Sequence, residues 1–209
     1  MIKNVIFDWS GTLSNDLRPV YEAAMYVFRD CGVREISFEE FRREIDYPYL
    51  LFYHKYIPEL TRERADKIFT SAIHDVGEPA PYPGAAEVLA TLHARGTEMV
   101  VLSGVPPRKI LLEVQSYGFK HYFREVNGGV YDKTEVIHQV LERNGFAAAH
   151  TVYLGDMLHD VEAARLAGVR SAVSTWGYHP MARLKAASPD HFLEDLMELP
   201  NLLLSINTK

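Results

Sequence analysis

The sequence has a single cysteine, Cys31, so no disulfide bond can form within the chain. Because disulfides persist mainly in oxidising compartments, this favours a reducing one. The chain also has no excess of basic residues: 22 Lys and Arg stand against 28 Asp and Glu, for a net charge of −6. Proteins that bind nucleic acids take most of their affinity from clustered Lys and Arg, so we expect no nucleic-acid partner.

Long apolar runs are missing as well. No run approaches the ~18 apolar residues of a membrane-spanning helix, and we expect no membrane partner. The N-terminal segment has only three consecutive apolar residues, at positions 5–7, before Asp8. Such a run is too short for the apolar region of a signal peptide. Together with the single cysteine, these features predict a cytoplasmic protein.

Short apolar runs are present, and they are typical of strands buried on both faces of a parallel sheet. They lie at residues 5–7, 99–102, 152–154 and 169–173. Three stretches with helical spacing alternate with the later runs, at residues 106–117, 133–143 and 158–166. This alternation predicts an α/β fold with a doubly wound, Rossmann-like parallel sheet as its core.

A different region separates the first predicted strand from the second. Residues 16–80 contain almost no strand-like run and are interpreted as helices at 18–30, 38–45 and 62–75, with Ser37 and Glu40 forming a capping box. Prolines at positions 79, 81 and 83 cannot continue a helix and indicate a linker. We therefore predict a core domain of residues 1–15 and 81–209 and an inserted helical cap domain of residues 16–80. Residues 14–16 and the prolines at 79–83 are the predicted hinges.

Polar groups follow the predicted strands at the edge where parallel sheets bind ligands. They are Asp8, Ser10, Gly11 and Thr12 after the first strand, Ser103 and Gly104 after the second, and Asp156 and Asp160 after the third, with Lys133 at the start of a helix. Taken one at a time, each fits a turn, a helix N-cap or a surface lysine. Their common position favours a shared site.

The chemistry of this set is coherent. Carboxylates from Asp8, Asp156 and Asp160 would form an oxygen-only site of the kind that Mg²⁺ prefers. The Ser103 hydroxyl, the Lys133 ammonium and nearby backbone N–H groups are donors suited to a phosphate. A carboxylate beside a metal-held phosphate can attack it in line, which gives an aspartyl-phosphate intermediate.

Four segments together resemble the haloacid dehalogenase superfamily, in its branch with a helical C1-type cap and close to phosphoglycolate phosphatases. They are FDWSGTL at 7–13, VVLSG at 100–104, Lys133, and GDMLHD at 155–160. The resemblance implies a Mg²⁺-dependent phosphatase acting on a small phosphorylated metabolite. It implies that Asp8 is the nucleophile, that Gly11, Thr12, Ser103, Gly104 and Lys133 bind the phosphoryl group, and that Asp8, the Ser10 carbonyl, Asp156 and Asp160 hold the metal.

Ser10 departs from the family pattern. Family phosphatases carry a second Asp at this position, which protonates the leaving alkoxide and then deprotonates the attacking water. A serine hydroxyl is a poor proton donor and acceptor near neutral pH, and losing a positioned acid–base group typically costs about 10²–10⁴ in rate. The phosphoryl-binding set is thus complete in the sequence, while one proton-handling group is missing.

Three interpretations stay open. In the first, the protein is a phosphatase that is slow, acts on good leaving groups, or uses another group such as His54 or Lys55. In the second, it resembles phosphonoacetaldehyde hydrolases, with Lys55 forming a Schiff base, although the spacing around Lys55 fits poorly and Lys133 stands where those enzymes usually have Arg. In the third, it is a catalytically weak member that binds a phosphorylated metabolite or a protein partner.

Substrate selection is assigned to the cap stretch at residues 46–56, interpreted as an aromatic-rich loop. Its rings are Tyr47, Tyr49, Phe52, Tyr53 and Tyr56. A dehalogenase is disfavoured because such enzymes typically lack the paired acids found here at Asp156 and Asp160. The sequence has no Gly-rich loop ending in Gly-Lys-Ser or Gly-Lys-Thr, which argues against a P-loop kinase.

Overall fold

The computed structural model describes residues 1–206, which form eight strands and ten α-helices. The strands are β1 (Asn4–Phe7), β2 (Ser14–Asn15), β3 (Ala80–Pro81), β4 (Glu98–Leu102), β5 (Glu125–Asn127), β6 (Thr151–Gly155), β7 (Arg170–Ser174) and β8 (His191–Leu193). The helices are α1 (Leu17–Asp30), α2 (Phe38–Glu44), α3 (Tyr49–His54), α4 (Arg62–Ile73), α5 (Ala85–Ala94), α6 (Pro107–Ser116), α7 (Lys133–Asn144), α8 (Leu158–Leu166), α9 (Met181–Ala187) and α10 (Leu199–Ile206). Within residues 1–206, no helix is both long and apolar enough to cross a membrane.

Six parallel strands form the central sheet in the order β5–β4–β1–β6–β7–β8. Since β1 lies between β4 and β6, the chain winds outward from β1 in both directions. The carboxyl ends of these three strands therefore meet at one edge of the sheet, at its topological switch point. The predicted α/β, doubly wound, Rossmann-like fold is confirmed.

Helices cover both faces of the sheet because successive side chains of each strand point to opposite sides. Val5 and Phe7 of β1 belong to a cluster that packs against α5, α6 and α10. Ile6, between them, belongs to a second cluster on the side of α7 and α8. All three side chains are fully buried. This double coverage explains why the central strands are unbroken apolar runs.

Helices α1 to α4 are inserted between β1 and the rest of the sheet. They enclose an apolar cluster of their own, with Phe28, Phe41 and Phe52 fully buried. Met157 and Tyr178, which come from the sheet-bearing part of the chain, belong to the same cluster, so the two parts are packed together. The short antiparallel pair of β2 and β3 joins Ser14–Asn15 to Ala80–Pro81, next to the predicted boundaries. The division into two domains and the hinges stay predictions.

The predicted helices agree with the observed ones to within two residues at their ends. Ser37 caps α2, since its hydroxyl accepts a hydrogen bond of 3.1 Å from the Glu40 N–H, which is one half of the predicted capping box. The Glu40 carboxylate accepts the Tyr56 hydroxyl. One interpretation was wrong: the stretch at 46–56 is not a loop throughout, because α3 (Tyr49–His54) lies within it. Strands β5 and β8 were also missed, because each has only three residues and lies at a sheet edge.

Candidate active site

Asp8 and Lys133 meet at the carboxyl end of β1. Asp8 directly follows that strand, and its backbone N–H donates to the Leu154 carbonyl of β6 at 2.8 Å. Lys133 is the first residue of α7, and its Nζ lies 2.9 Å from Asp8 Oδ2 and 2.6 Å from Asp160 Oδ1. All three side chains are buried. The ammonium therefore bridges two carboxylates that the sequence separates by 152 residues, the difference between positions 8 and 160.

Asp160 is held by donors on both of its oxygens. Oδ2 accepts the backbone N–H groups of Asp156 and Met157, at 3.1 and 2.9 Å, while Oδ1 accepts Lys133 and the Tyr153 hydroxyl, the latter at 3.2 Å. Burial alone would raise the pKa of Asp160, but the charge and hydrogen bond of Lys133, nearby His159 and the Met157 N–H hold it below its usual range. Asp160 is thus a fixed anion that orients Lys133 toward Asp8.

The Asp156 carboxylate is tightly enclosed by its neighbours. Its Oδ1 accepts the Thr12 hydroxyl at 3.1 Å and its Oδ2 accepts the Tyr178 N–H at 2.6 Å. A Cβ atom at Gly11 or at Gly177 would overlap this carboxylate, so only glycine fits at these two positions. Gly11 and Thr12, which were expected to bind phosphate, contact the Asp156 side chain in the structure.

The chemistry of the buried acids fits a divalent cation. One carboxylate oxygen from each of Asp8, Asp156 and Asp160 lies within 4.8 Å of the others. Three ionised carboxylates and one ammonium leave an excess of two negative charges in a buried place. Burial raises the pKa of Asp8 despite the opposing effect of Lys133, and burial together with the neighbouring Asp160 and Asp8 carboxylates raises the pKa of Asp156 well above its usual range. A hard divalent cation bound by oxygen ligands would remove this cost.

A cavity of about 480 Å³ opens in front of Asp8, between the sheet edge and the inserted helices. Ser10, Ser103, Gly104 and Lys133 line it together with Asp8, so the structure brings these predicted site residues to one surface. Asp156 and Asp160 lie behind that surface, with 0% and 1% of their area exposed. A phosphate entering this cavity would meet the serine hydroxyl and the ammonium beside the Asp8 carboxylate.

Asp16 was not identified from the sequence as a site residue, although it lines the cavity together with Ser10. The Ser10 hydroxyl donates to Asp16 Oδ2 at 2.6 Å, and the Gly11 N–H and the Tyr178 hydroxyl donate to Oδ1 at 3.0 and 3.3 Å. Asp16 is buried in the wall of the cavity, and this burial raises its pKa to about 6, against the lowering effect of Ser10. In the sequence, Asp16 is indistinguishable from an N-cap of α1.

Tyr178 was also missed, although a signal for it exists. It comes shortly after β7, within the segment Trp176–Gly177–Tyr178–His179, at the same sheet edge as the predicted site residues. The apolar run at 169–173 predicts a strand, and the residues after its carboxyl end belong at that edge by the same reasoning as Asp8 and Asp156. The contacts of Tyr178 with Asp16 and Asp156 show that β7 contributes to the site alongside β1, β4 and β6.

The inserted helices supply the outer wall of the cavity. Tyr47, Tyr49, Phe52 and Tyr53 line it, as expected. Tyr56 lies outside the lining, where its hydroxyl donates to Glu40 at 3.1 Å. His54 and Lys55 also lie outside: the His54 Nε2 is 2.9 Å from the Leu60 carbonyl, and the Lys55 ammonium donates to the Glu44 carbonyl at 2.9 Å.

His159 and His179 lie where the inserted helices meet the core. The His159 ring stacks on Tyr47, with 4.8 Å between ring centroids, and lines the cavity. Neither of its ring nitrogens has a hydrogen-bond partner among residues 1–206, and Nε2 is 3.5 Å from Asp160 Oδ1. His179 is fully buried and has a partner on each nitrogen, the Leu158 N–H at Nδ1 and the Ile45 carbonyl at Nε2. Burial lowers the pKa of each histidine to about 4.

Comparison with known proteins agrees with this fold. Residues 5–174 match the family of haloacid dehalogenase-like hydrolases, so the chain belongs to this family. A phosphoglycolate phosphatase of Synechococcus elongatus is 28% identical over 93% of this chain and 94% of its own length. A 5′-nucleotidase of Pseudomonas aeruginosa is 26% identical over 97% of this chain and 96% of its own.

The solved structures give the same picture of the fold. A haloacid dehalogenase-like hydrolase from Streptococcus pneumoniae superposes with a TM-score of 0.84 at 22% identity, over 96% of this chain and 98% of that one. The prediction of a phosphohydrolase of the haloacid dehalogenase superfamily, similar to phosphoglycolate phosphatases, is confirmed.

Proposed function

We propose that the protein is a Mg²⁺-dependent phosphatase that cleaves a phosphate monoester of a small metabolite through an aspartyl phosphate at Asp8. The observation that carries the proposal is the position of the Asp8 carboxylate. It lies in the lining of a cavity that it shares with Ser103 and Lys133, and it has the buried acids Asp156 and Asp160 behind it. Relatives named as phosphatases, at 28% and 26% identity, support the same reaction class.

Asp8, Asp156 and the carbonyl of Ser10 would hold the magnesium ion, with Asp160 supporting it from behind. When bound, the ion supplies positive charge that offsets the charge of the phosphoryl group and of the acids around it. Asp160 already has a donor on each of its oxygens, which favours a supporting role over direct coordination. The carboxylates would therefore serve the metal ion, and the Lys133 ammonium would serve the phosphoryl group.

In the first half of the reaction, an oxygen of the Asp8 carboxylate attacks phosphorus and the ester P–O bond breaks. Lys133 orients Asp8 through the 2.9 Å contact and places its ammonium charge beside the transferring group. Ser103 donates its hydroxyl to a phosphoryl oxygen. The leaving alkoxide needs a proton at this point, and Ser10 is a poor proton donor by itself.

We assign the proton to Asp16, acting through the Ser10 hydroxyl. The two side chains are joined by a 2.6 Å hydrogen bond, and both line the cavity. In the first half, Asp16 starts in its protonated form, which its raised pKa of about 6 makes accessible near neutral pH. The alkoxide takes the proton of the Ser10 hydroxyl while Ser10 takes one from the protonated Asp16 carboxyl. In the second half the direction reverses: a water molecule gives its proton to this pair and attacks phosphorus. The bond between phosphorus and Asp8 then breaks, which releases phosphate and restores the Asp8 carboxylate and the protonated Asp16 carboxyl group.

The two other interpretations have less support. A Schiff-base mechanism needs a lysine amine at the substrate, whereas the Lys55 ammonium lies outside the cavity lining and is paired with Glu44. A binding-only role rested on Ser10 alone, and Asp16 supplies the carboxyl group that Ser10 lacks. The cytoplasmic location stays a proposal, which rests on the single cysteine and on the shortness of the apolar runs.

The direct test is phosphate release from a panel of phosphomonoesters, measured with Mg²⁺ and with EDTA. We expect turnover with Mg²⁺ that EDTA abolishes and added Mg²⁺ restores. Asp8→Asn keeps the size of the side chain and removes the nucleophile, so it should show no turnover. Brief reaction followed by acid quench and hydroxylamine should give a hydroxamate at Asp8 in the native protein alone. Absence of turnover on every ester of the panel would reject the proposal.

A further inference from the structure

Most of the cavity wall away from Asp8 is aromatic or apolar. The rings of Phe41, Phe52 and Tyr53 are buried in it, and Tyr47, Tyr49 and Phe69 are half-buried along its side. These rings belong to the inserted segment, in its helices or, for Tyr47, in the connection between α2 and α3, opposite the sheet edge that carries Asp8. When a phosphoryl group lies at Asp8, the remainder of the ester faces these rings. Burial of an apolar group against such a wall is favourable, because it removes apolar surface from water.

The cavity wall carries negative charges, whereas a leaving group that bears a carboxylate would need positive ones. Apart from Asp8 and Asp16, the carboxylates of Asp46 and Asp66 line the cavity. The described residues contribute two ammonium groups to the lining, those of Lys109 and Lys133. Lys133 is bound to Asp8 and Asp160, and Lys109 lies 3.7 Å from Glu113.

Three arginines beside the cavity lie outside its lining. Arg183 Nη2 is 3.5 Å from Asp46 Oδ2, and Arg42 Nε donates to the Tyr178 carbonyl at 3.2 Å. The Arg62 guanidinium lies outside the lining, 5.8 Å from the ring centroid of Tyr131, which does line the cavity. A carboxylate on the leaving group would therefore meet aromatic faces and two further carboxylates, Asp46 paired with Arg183 and Asp66 accepting the Tyr49 hydroxyl. Both ammonium groups among the described lining residues are already paired. An anion desolvated in such surroundings is strongly disfavoured.

We propose that the substrate is a phosphate monoester of an uncharged, largely apolar alcohol that carries a ring, and that the cavity discriminates against carboxylate-bearing esters such as 2-phosphoglycolate. This inference rests on the proposed phosphatase function and narrows its substrate class. It separates this chain from the Synechococcus elongatus relative, which is named for 2-phosphoglycolate and shares 28% of its residues.

Three alkyl phosphates test the inference because their reacting ends are alike. Ethyl phosphate has the two carbons of 2-phosphoglycolate without the carboxylate, and benzyl phosphate adds an apolar ring. We expect kcat/KM to rise from 2-phosphoglycolate to ethyl phosphate to benzyl phosphate, with the first and last at least about tenfold apart. Equal values for the three, or a preference for 2-phosphoglycolate, would overturn the inference while leaving the phosphatase function intact.

Binding provides a readout that does not depend on turnover. Asp8→Asn, titrated calorimetrically with each of the three esters in Mg²⁺ and again in EDTA, should bind benzyl phosphate at least about tenfold more tightly than 2-phosphoglycolate under both conditions. If the native protein hydrolyses none of the esters but this binding preference is found, the phosphatase proposal fails and the inferred ligand class stands. No preference in binding would overturn the inferred class.

A positive charge introduced into the cavity wall tests the electrostatic part of the inference. An uncharged variant at the same position is its control. Thr70 lines the cavity on α4 and is exposed, so a longer side chain can be placed there without disturbing the apolar cluster. Thr70→Arg should raise kcat/KM for 2-phosphoglycolate relative to benzyl phosphate by about fivefold or more, because it supplies the missing cation. Thr70→Gln, of similar reach and without charge, should leave the ratio within about twofold. The same change of ratio in both variants would contradict the electrostatic part of the inference.

Discussion

The Ser10 hydroxyl donates a 2.6 Å hydrogen bond to the carboxylate of Asp16, six positions further along the chain. Asp16 is buried, and the same carboxylate also accepts the Gly11 N–H and the Tyr178 hydroxyl. A residue that would be a poor proton donor by itself is therefore joined to a carboxyl group in the cavity wall. In the proposed mechanism, Asp16 would compensate for the departure from the family pattern at position 10.

Asp16→Asn should lower the steady-state kcat for benzyl phosphate by about 10²–10⁴, the usual contribution of a positioned acid–base group. An amide keeps the size of the side chain and can still bind Ser10, but it cannot exchange the proton. Steady-state phosphate release and rapid quench of the first turnover measure the effect. With an aryl phosphate, whose phenolate leaves without help, the first turnover should stay fast while later turnovers are slow.

Loss of the first turnover for aryl and alkyl phosphates alike would indicate a structural role for Asp16 instead. Ser10→Asp is the complementary variant. It places a second carboxyl against Asp16, so we expect little gain from Ser10→Asp alone. Ser10→Asp combined with Asp16→Asn should recover at least about tenfold of the activity that Asp16→Asn loses, because it restores one carboxyl to the pair. No recovery in the double variant would contradict the assignment.

Lys133 should be essential for stability in the absence of metal, as well as for activity. Lys133→Met leaves the buried carboxylates of Asp8 and Asp160 without their shared cation, and breaking such a pair costs about 3–5 kcal/mol. Urea unfolding in EDTA measures the loss. Lys109→Met is the control, because the Lys109 side chain is 38% exposed and its 3.7 Å ion pair with Glu113 should contribute less than about 1 kcal/mol. Equal losses in the two variants would contradict the prediction.

We expect that Gly11 cannot be replaced, both because of its backbone conformation and because of its close neighbours. A variant of Gly96 separates these two effects. Gly11 has φ of +74°, and an added Cβ would overlap Asp156 and Tyr178. Gly96 has nearly the same φ, +73°, with nothing within 4 Å of an added Cβ. Gly96→Ala should cost only the backbone strain, about 1–2 kcal/mol. Gly11→Ala should cost more in thermal unfolding and should abolish phosphate release, whereas equal effects would show that the overlap is relieved.

His159→Phe should make the ligand-free protein more stable and less active. The phenyl ring keeps the stack on Tyr47 and removes two buried nitrogens that have no partner among residues 1–206. A buried polar group without a partner costs about 1–3 kcal/mol, so Tm should rise. If the substrate provides the missing partner, KM should also rise; His159→Asn, which retains a donor, should then keep a lower KM than His159→Phe. A fall in Tm for His159→Phe would contradict the prediction.

The sheet and the residues at its carboxyl edge were predictable because they depend on local patterns. A strand buried on both faces is an apolar run, as at 5–7 and 152–154, and parallel strands bring the residues after their carboxyl ends to one edge. This reasoning identified Asp8, Ser103, Asp156 and Lys133 without contacts being known. It missed β5 and β8, because short strands at a sheet edge lack such a run.

The roles of Gly11, Thr12 and Asp16 could not be predicted, because they depend on contacts distant in sequence. Thr12 binds Asp156 across 144 positions, and Tyr178 reaches Asp16 across 162. A threonine that follows a strand can bind a phosphate, or it can donate a hydrogen bond that orients a carboxylate. The sequence does not distinguish these two roles. The aromatic residues of the cap were predicted as a group, but only the fold of α3 separates Tyr53, in the cavity wall, from Tyr56, outside it.

His179 should make the protein less stable in mild acid. The Leu158 N–H donates to its Nδ1, so the neutral ring carries its proton on Nε2 and donates to the Ile45 carbonyl, at the end of α2, at 3.0 Å. Its pKa is about 4 in the folded protein and 6.5 in the unfolded chain. Because the unfolded chain binds the proton more readily between these values, the contribution is fully present above about pH 6.5 and is lost as the pH falls toward 4.

At one pKa unit per 1.36 kcal/mol, the full effect is about 3 kcal/mol. His159 acts in the same sense and Asp16 in the opposite one, so His179 must be isolated by a variant. His179→Gln can accept from Leu158 and donate to Ile45 but does not titrate. Urea unfolding of both proteins between pH 7 and pH 4.5 should show the native protein losing about 2–3 kcal/mol more than the variant. A difference that stays constant over this range would mean that the protonated ring is accommodated in the folded protein.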